Sequence, residues 1–218
     1  DDQLPRIALD DSDLGRPWRD WLELNHPAVV VEPQADWPFN LIYSSGTTGV
    51  PKGIMQPYGM RWTQIDRARD NGYGQDTVCL NSTPLYSNTT LVSLIPTLAL
   101  GGTVVLMKKF DVRGYLELAE CHRVTHTMLV PVQYQRLMDY PEFDRYDLSH
   151  FQAKFCTSAP FSAELKRDIL RRWPGGLTEY YGMTEGGGRT ELHCHLHPDK
   201  LHTVGRPALG HDIRLIDE

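Results

Sequence analysis

The stretch YSSGTTGVPKG, residues 43–53, places two serines, two threonines, three glycines and one lysine within eleven positions, directly after the apolar pair Leu41-Ile42. Glycine lets a backbone turn sharply and come close to a ligand. Hydroxyls and exposed N–H groups donate to phosphate oxygens, and a lysine adds a mobile positive charge. The stretch therefore reads as a polyphosphate cradle. It departs at two places from the G-x-x-x-x-G-K-[ST] loop of nucleoside triphosphatases. Pro51 stands where the second glycine would be, and Gly53 follows Lys52. That loop also needs a helix directly after its lysine, whereas residues 53–56 and then Pro57 favour a short strand and a second turn. A flexible Gly/Ser/Thr linker is the plainer alternative. The Pro-Lys-Gly end against apolar Ile54-Met55 weighs against it.

Downstream, short apolar runs alternate with helical patterns. Residues 58–71, 89–100, 112–122, 132–140 and 163–173 read as helices, with stops at Gly72 and Gly101-Gly102 and caps at Asp111 and Ser162. Residues 77–81, 103–107, 126–130, 152–157, 177–181 and 213–216 read as strands, the third of them broken by Pro131. Upstream, residues 1–40 are rich in Pro and Asp, with a short helix expected over 18–24 and a short strand over 29–31. The alternation predicts an α/β fold, a mainly parallel sheet flanked by helices. Such sheets bind ligands beyond the carboxyl ends of their strands. TSAP (157–160) and YYGMTE (180–185) both fall just after predicted strands.

Composition narrows the class. The chain of 218 residues is 40% hydrophobic and 23% charged, an ordinary globular balance. A net charge of −6 gives no reason to expect nucleic acid as a partner. No apolar run reaches the length of a membrane span, and no leader pattern opens the sequence. Cys79, Cys121, Cys156 and Cys194 are widely spaced, which fits reduced thiols and a cytoplasmic setting better than a disulfide scaffold.

Five segments, in order, resemble the signature elements of the AMP-forming adenylating enzymes, the superfamily of acyl- and aryl-CoA synthetases, peptide-synthetase adenylation domains and beetle luciferases. They are YSSGTTGVPKG (43–53), PLYS (84–87), TSAPFSAEL (157–165), TEYYGMTEGG (178–187) and VGRPALGHDIRLID (204–217). The resemblance runs from about Asn40 to the end of the chain. It implies a lead-in segment over residues 1–40. Over residues 41–218 it implies the central and later part of the large ATP- and carboxylate-binding N-terminal domain. The small C-terminal domain of the same enzyme, which supplies a lysine to the reaction, is expected outside this chain, as is an aspartate that holds the ribose. The chain alone is therefore expected to be nearly inactive.

The resemblance also assigns roles. ATP, Mg²⁺ and coenzyme A are implied, with a small carboxylic acid as substrate. Ser44, Ser45, Gly46, Thr47, Thr48, Gly49 and Lys52 would hold the β- and γ-phosphates and later pyrophosphate. Thr184 would donate to the α-phosphate, and Glu185 would bind Mg²⁺, which favours one or two carboxylates plus phosphate and water. Tyr181 would lie against adenine, with Ser158, Ala159 and Pro160 opposite and Gly182 and Met183 alongside. Lys52, Thr184 and Glu185 are the catalytic candidates. Tyr86, Asn88, Val130, Tyr134, Met183 and Gly186 are candidates for the acid pocket, each equally readable as core.

The expected reaction is activation of a fatty or aromatic acid to an acyl adenylate and then to a CoA thioester. One alternative is an adenylation domain that loads an amino acid or acyl group on a carrier protein. Another is a non-catalytic nucleotide- or acyl-binding module. An amino-acid pocket would be expected to carry an aspartate after the PLYS element, where Ser87-Asn88-Thr89 stand. Many acyl-CoA synthetases carry a histidine at the place of Ser87. His193, His195 and His197 alternate around Cys194, a pattern open to metal binding or to a polar exposed loop. His126, inside an apolar strand, reads as a satisfied core or pocket-edge histidine.

Overall fold

The computed structural model describes residues 5–9, 13–22, 30–44, 51–214 and 216. They fall into two units, Asp1–Pro33 and Gln34–Glu218. In the first, β1 (Ile7–Ala8) runs parallel to β2 (Arg16–Pro17), and α1 (Trp18–Trp21) follows. Its two indole rings stack with centroids 5.1 Å apart. The strand expected over 29–31 is not formed by its described residues. Val30 and Val31 are both exposed and unpaired in any ladder, so no burial favours an extended pair there.

The second unit opens with a hairpin. β3 (Pro38–Ser44) pairs antiparallel with β4 (Lys52–Pro57), and Ser44 stands opposite Lys52. The tip, with Ser45, Gly46, Thr47, Thr48 and Gly49, and the side chain of Ser44, lie outside the described residues. A strand, not a helix, follows Lys52. Beyond it the helix expected over 58–71 forms as α2 (Tyr58–Asp70), directly after the strand, with Pro57 at its N-cap, a place where a missing N–H costs nothing.

β5 (Val78–Asn81), β6 (Thr103–Leu106), β7 (His126–Leu129), β8 (Ala153–Cys156), β9 (Gly176–Tyr181), β10 (Thr190–His193) and β11 (Arg206–Pro207) form one seven-stranded sheet. Its order is β6-β5-β7-β8-β9-β10-β11. The strands from β5 to β9 are parallel, and β10 runs antiparallel to both its neighbours, β9 and β11. The crossovers are α3 (Asn88–Ala99), α4 (Val112–Cys121), α5 (Pro131–Met138) and α6 (Ala163–Arg172). Both expected caps form. Asp111 accepts from the Gly114 N–H at 2.7 Å and Ser162 from the Leu165 N–H at 3.2 Å. Pro131 starts α5 and does not merely break the strand before it, since the first helical turn needs no proline N–H.

Alternation along the strands sorts the side chains into two layers. Leu80, Leu129, Cys156 and Leu177 face α4, α5 and α6, in a core with Tyr115, Tyr134, Leu137, Ile169 and Trp173. Met128, Phe155 and Tyr180 face the other way, toward Ala68 of α2 and Val92 of α3. The first layer also buries two lysines. Lys154 donates to the carbonyls of Trp173 and Gly175 at 3.2 and 2.8 Å and to that of Pro174. Burial lowers its pKa to about 7. Lys166 donates to the carbonyls of Leu201 and Thr203 at 2.9 and 3.1 Å and pairs with Glu179 of β9.

The strand expected over 213–216 is absent at its described residues, Ile213, Arg214 and Ile216. β11 takes the edge of the sheet instead, and Arg206 stands opposite Glu191. β3, β10 and β11 were not anticipated from sequence. No helix among the described residues is long and apolar enough to cross a membrane.

The order of the sheet makes the site. After β5 the chain adds β6 on one side, then β7 on the other. The connections therefore diverge between β5 and β7, and a crevice opens at the strands' carboxyl ends.

Candidate active site

A cavity of about 620 Å³ lies on the α2–α3 face of the sheet, lined by Met128 of β7, Phe155 of β8 and Tyr180 and Tyr181 of β9, with Asn88 and Thr89 of α3 at its edge. Its inner wall is aromatic. The rings of Tyr73, Phe155 and Tyr180 form a run, with Tyr73–Phe155 and Phe155–Tyr180 each stacked at 5.9 Å. Met128, Val92, Ala68 and Met60 add to the apolar part. Such a tray suits a flat ring, because offset stacking adds to area burial.

The rim is polar. Asn88, at the start of α3, buries its Oδ1 without a hydrogen-bond partner among the described residues. A buried orphan acceptor is costly and asks for a donor. Thr89 Oγ1 lies 3.1 Å from Ser158 Oγ, which ties α3 to the loop after β8. Ser158 holds φ at 82°, a left-handed conformation that side-chain-bearing residues seldom take. Such strain gathers at functional loops. Asn71 joins α2 to the sheet: its side-chain oxygen accepts from the Tyr180 hydroxyl at 3.4 Å.

His126 lies below the rim. Its Nε2 faces the Asn71 carbonyl at 3.2 Å, which can only accept, so Nε2 carries the proton. Its Nδ1 lies 2.8 Å from Thr125 Oγ1. Both ring nitrogens are used, as expected of a satisfied histidine. Burial holds its pKa below the usual 6.5. The unfolded chain thus binds the extra proton first as pH falls. This group's stabilisation is complete above about pH 6.5 and is lost as pH drops through the folded-state value. Urea unfolding midpoints of wild type should fall between about pH 7.5 and 5, and His126→Gln should flatten that slope.

Over the mouth runs the loop after β9. Met183, Thr184, Glu185 and Gly186 line the cavity, with Gly182 at the loop's base. The backbone takes positive φ at Gly186 (97°) and Gly187 (85°), a course open to glycine. The loop returns through Arg189 into β10, where Thr190 pairs with Tyr181. Behind it, the Lys166–Glu179 pair anchors β9 to α6 and to the carbonyls of Leu201 and Thr203.

The cavity thus gathers eight of the residues singled out from sequence: Asn88, Ser158, Tyr181, Gly182, Met183, Thr184, Glu185 and Gly186. Others stand elsewhere. Ala159 and Pro160 are exposed and do not line it, nor does Tyr86, which is 83% exposed. Val130 is half-buried at the head of α5, outside the lining, with its N–H donating to Gln133. Tyr134 corrects the wall reading. It is fully buried in the opposite layer, its hydroxyl donates to the Phe155 carbonyl at 2.9 Å, and its ring stacks on Phe161. Helical phase after Pro131 turns it to the core. Lys52 is exposed at the start of β4 and outside this lining.

Sequence reasoning missed the α2 wall, with Gln64, Arg67 and Asn71, and it missed Arg189 and His211. No motif sets them apart, since their role depends on how α2 crosses the sheet. The histidine row does not gather. His193 Nδ1 lies 3.1 Å from Thr178 Oγ1, and His195 Nδ1 meets the Leu177 N–H at 3.2 Å. Among the described residues no three His, Cys, Asp or Glu side chains converge as a metal site.

Comparison with known proteins agrees with this architecture. The model of the AMP-binding enzyme family matches residues 2–218. Over 180 residues the chain is 34% identical to a feruloyl-CoA synthase of Amycolatopsis sp, covering 80% of this chain and 36% of that protein. It is 38% identical over 191 residues to 4-coumarate–CoA ligase 3 of Arabidopsis thaliana, covering 84% and 32%. Among solved structures, the amide bond synthetase McbA of Marinactinospora thermotolerans superposes with a TM-score of 0.80 at 28% identity, covering 92% of this chain and 41% of that one. The o-succinylbenzoate CoA synthetase MenE of Bacillus subtilis, in complex with ATP and magnesium, superposes with a TM-score of 0.70 at 26% identity, covering 83% and 38%. The chain belongs to the AMP-binding enzyme family. It spans about a third of the length of the curated relatives it matches.

Proposed function

We propose that this chain forms the central part of an AMP-forming ligase that activates an aromatic carboxylic acid with ATP and passes the acyl group to coenzyme A. One observation carries the reading. A single cavity joins an aromatic tray (Tyr73, Phe155, Tyr180) to a hydroxyl and a carboxylate in sequence, Thr184 and Glu185. The relatives named for aromatic acids support the choice of an aromatic over a fatty acid.

In this reading the acid's ring lies on the tray and its carboxylate points to the mouth. A carboxylate oxygen attacks the α-phosphorus of ATP, a new P–O bond forms, and pyrophosphate leaves with the electrons of the broken one. Two anions must meet, so the site has to neutralise charge. Thr184 donates to the α-phosphate. Glu185 is a suitable single carboxylate for Mg²⁺, which supplies charge neutralisation on the phosphate oxygens. Ser44, Ser45, Thr47, Thr48 and Lys52, with the glycines between, receive the outer phosphates. Tyr181, a residue 61% exposed, offers a face to adenine, with Ser158 opposite. The small C-terminal domain of the complete enzyme supplies the remaining lysine, and a reducing cytosol suits the unpaired cysteines.

Pyrophosphate exchange by the complete enzyme, with aromatic, fatty and amino acids in parallel, tests the reading. Aromatic acids should lead in kcat/KM by about 10-fold or more. Leadership by amino acids would favour the carrier-loading alternative. Failure of Mg-ATP to bind in calorimetry would leave the non-catalytic module.

A further inference from the structure

The cavity holds more positive charge than the reaction uses. Two arginines line it, Arg67 of α2 and Arg189 at the return of the β9–β10 loop. Two separate chains of contact set them on one wall. Arg189 lies over the Tyr180 ring at 5.0 Å, and the Tyr180 hydroxyl reaches Asn71, one helical turn from Arg67. The Arg189 carbonyl also accepts from the Ala208 N–H, and Ala208 accepts from the His211 N–H, both at 3.0 Å. His211 Nε2 in turn stands 3.5 Å from Arg67 Nη1.

Neither cation is fully matched. Among the described residues Arg67 meets only His211 and the Leu209 carbonyl, each at 3.5 Å, and no carboxylate pairs with it. Arg189 reaches Glu191 at 3.4 Å, the long end of a contact, and its Nε is buried with no partner among the described residues. A half-buried guanidinium loses hydration that only an anion or several acceptors replace.

Their place decides what they serve. Thr190 stands opposite Tyr181, so Arg189 returns beside Gly182 at the base of the loop, while Thr184 and Glu185 lie farther along it. The arginines therefore flank the tray, back from the proposed reacting end.

We infer that the acid carries a second anionic group, a carboxylate on or beyond the aromatic ring, received by Arg67 and Arg189. This rests on the ligase reading of the same cavity and names its substrate class. The two guanidiniums select an aromatic diacid over its neutral counterpart because, without the second charge, Arg67 has no carboxylate partner among the described residues and Arg189 keeps only Glu191 at 3.4 Å.

Terephthalate and 4-carboxycinnamate, each against the methyl ester of its distal carboxyl, test this in pyrophosphate exchange by the complete enzyme. The diacid should exceed its ester in kcat/KM by about 30-fold or more. In Arg67→Gln/Arg189→Gln that ratio should fall to within about threefold of unity, while the KM for ATP stays put. Ester and diacid used equally by wild type would overturn the inference and leave the ligase reading intact. So would variants that raise the KM for ATP but keep the ratio, since the arginines would then serve the nucleotide. If no acid supports exchange, calorimetry on the wild-type enzyme decides. A diacid that binds where its ester does not keeps the anion site and removes the ligase reading. Absence of binding by both removes the anion site as well.

Discussion

Lys166→Met destabilises the chain by about 3–5 kcal/mol, the cost of stranding a buried partner charge. Lys166 and Glu179 are 1% and 5% exposed at their side chains, so water cannot replace the lost ion pair. The carbonyls of Leu201 and Thr203 lose their donor in the same step. The loss has a signature in pH. Burial already raises the Glu179 pKa above its ordinary 4.5, and without the lysine it rises further. A carboxyl with a raised folded-state pKa keeps its proton longer in the native state. Native stability then falls as pH climbs from the unfolded value through the folded one. The deficit of Lys166→Met should therefore be smallest near about pH 4.5 and should grow toward neutrality. Urea unfolding at several pH values measures it. Lys166→Met/Glu179→Leu should recover most of the loss, because an apolar pair carries no desolvation penalty. A single variant as stable as wild type at about pH 7.5 would show that the pair does not anchor β9.

Glu185→Gln in the complete enzyme lowers the rate of pyrophosphate exchange by about 100-fold or more. Glutamine keeps the size and the loop but removes the charge that Mg²⁺ prefers. The expected pattern is a fall in kcat, a rise in the Mg²⁺ needed for half-activity, and little change in acid binding on the tray. Thr184→Ala should cost less, about 10-fold or more, since one donor is lost and no charge. Exchange unaffected by Glu185→Gln would remove this residue from the reaction, whatever the loop's geometry. Equal losses from Glu117→Gln, on the exposed side of α4, would mark the effect as unspecific.

Much of the parallel sheet was legible because the strands from β5 to β9 are short segments with apolar or aromatic residues, set between helical patterns and turn residues. The caps at Asp111 and Ser162 were readable for a local reason, as each needs only a side-chain oxygen three residues before its N–H partner. The edges were not. β10 is Thr-Glu-Leu-His and β11 is Arg-Pro, too short and too polar to show a period. They extend only because β9 offers a free edge. Residues 213–216 show the reverse case, an alternating pattern whose described residues join no ladder.

The sequence by itself determined the family through motifs whose chemistry is local: glycines, hydroxyls and a lysine in one loop, and a tyrosine, threonine and glutamate in another. Adjacent residues stay adjacent in any fold, so Thr184 and Glu185 could be paired without coordinates. The far wall of the cavity was decided by tertiary structure alone. Arg67 and Arg189 lie far apart in the chain, and neither belongs to a motif. They share a wall because α2 crosses the sheet beside Tyr180 and the β9–β10 loop folds back on the same strand. Tyr134 marks the same limit from the other side. Its composition suited a pocket, and the phase of α5 turned it to the core.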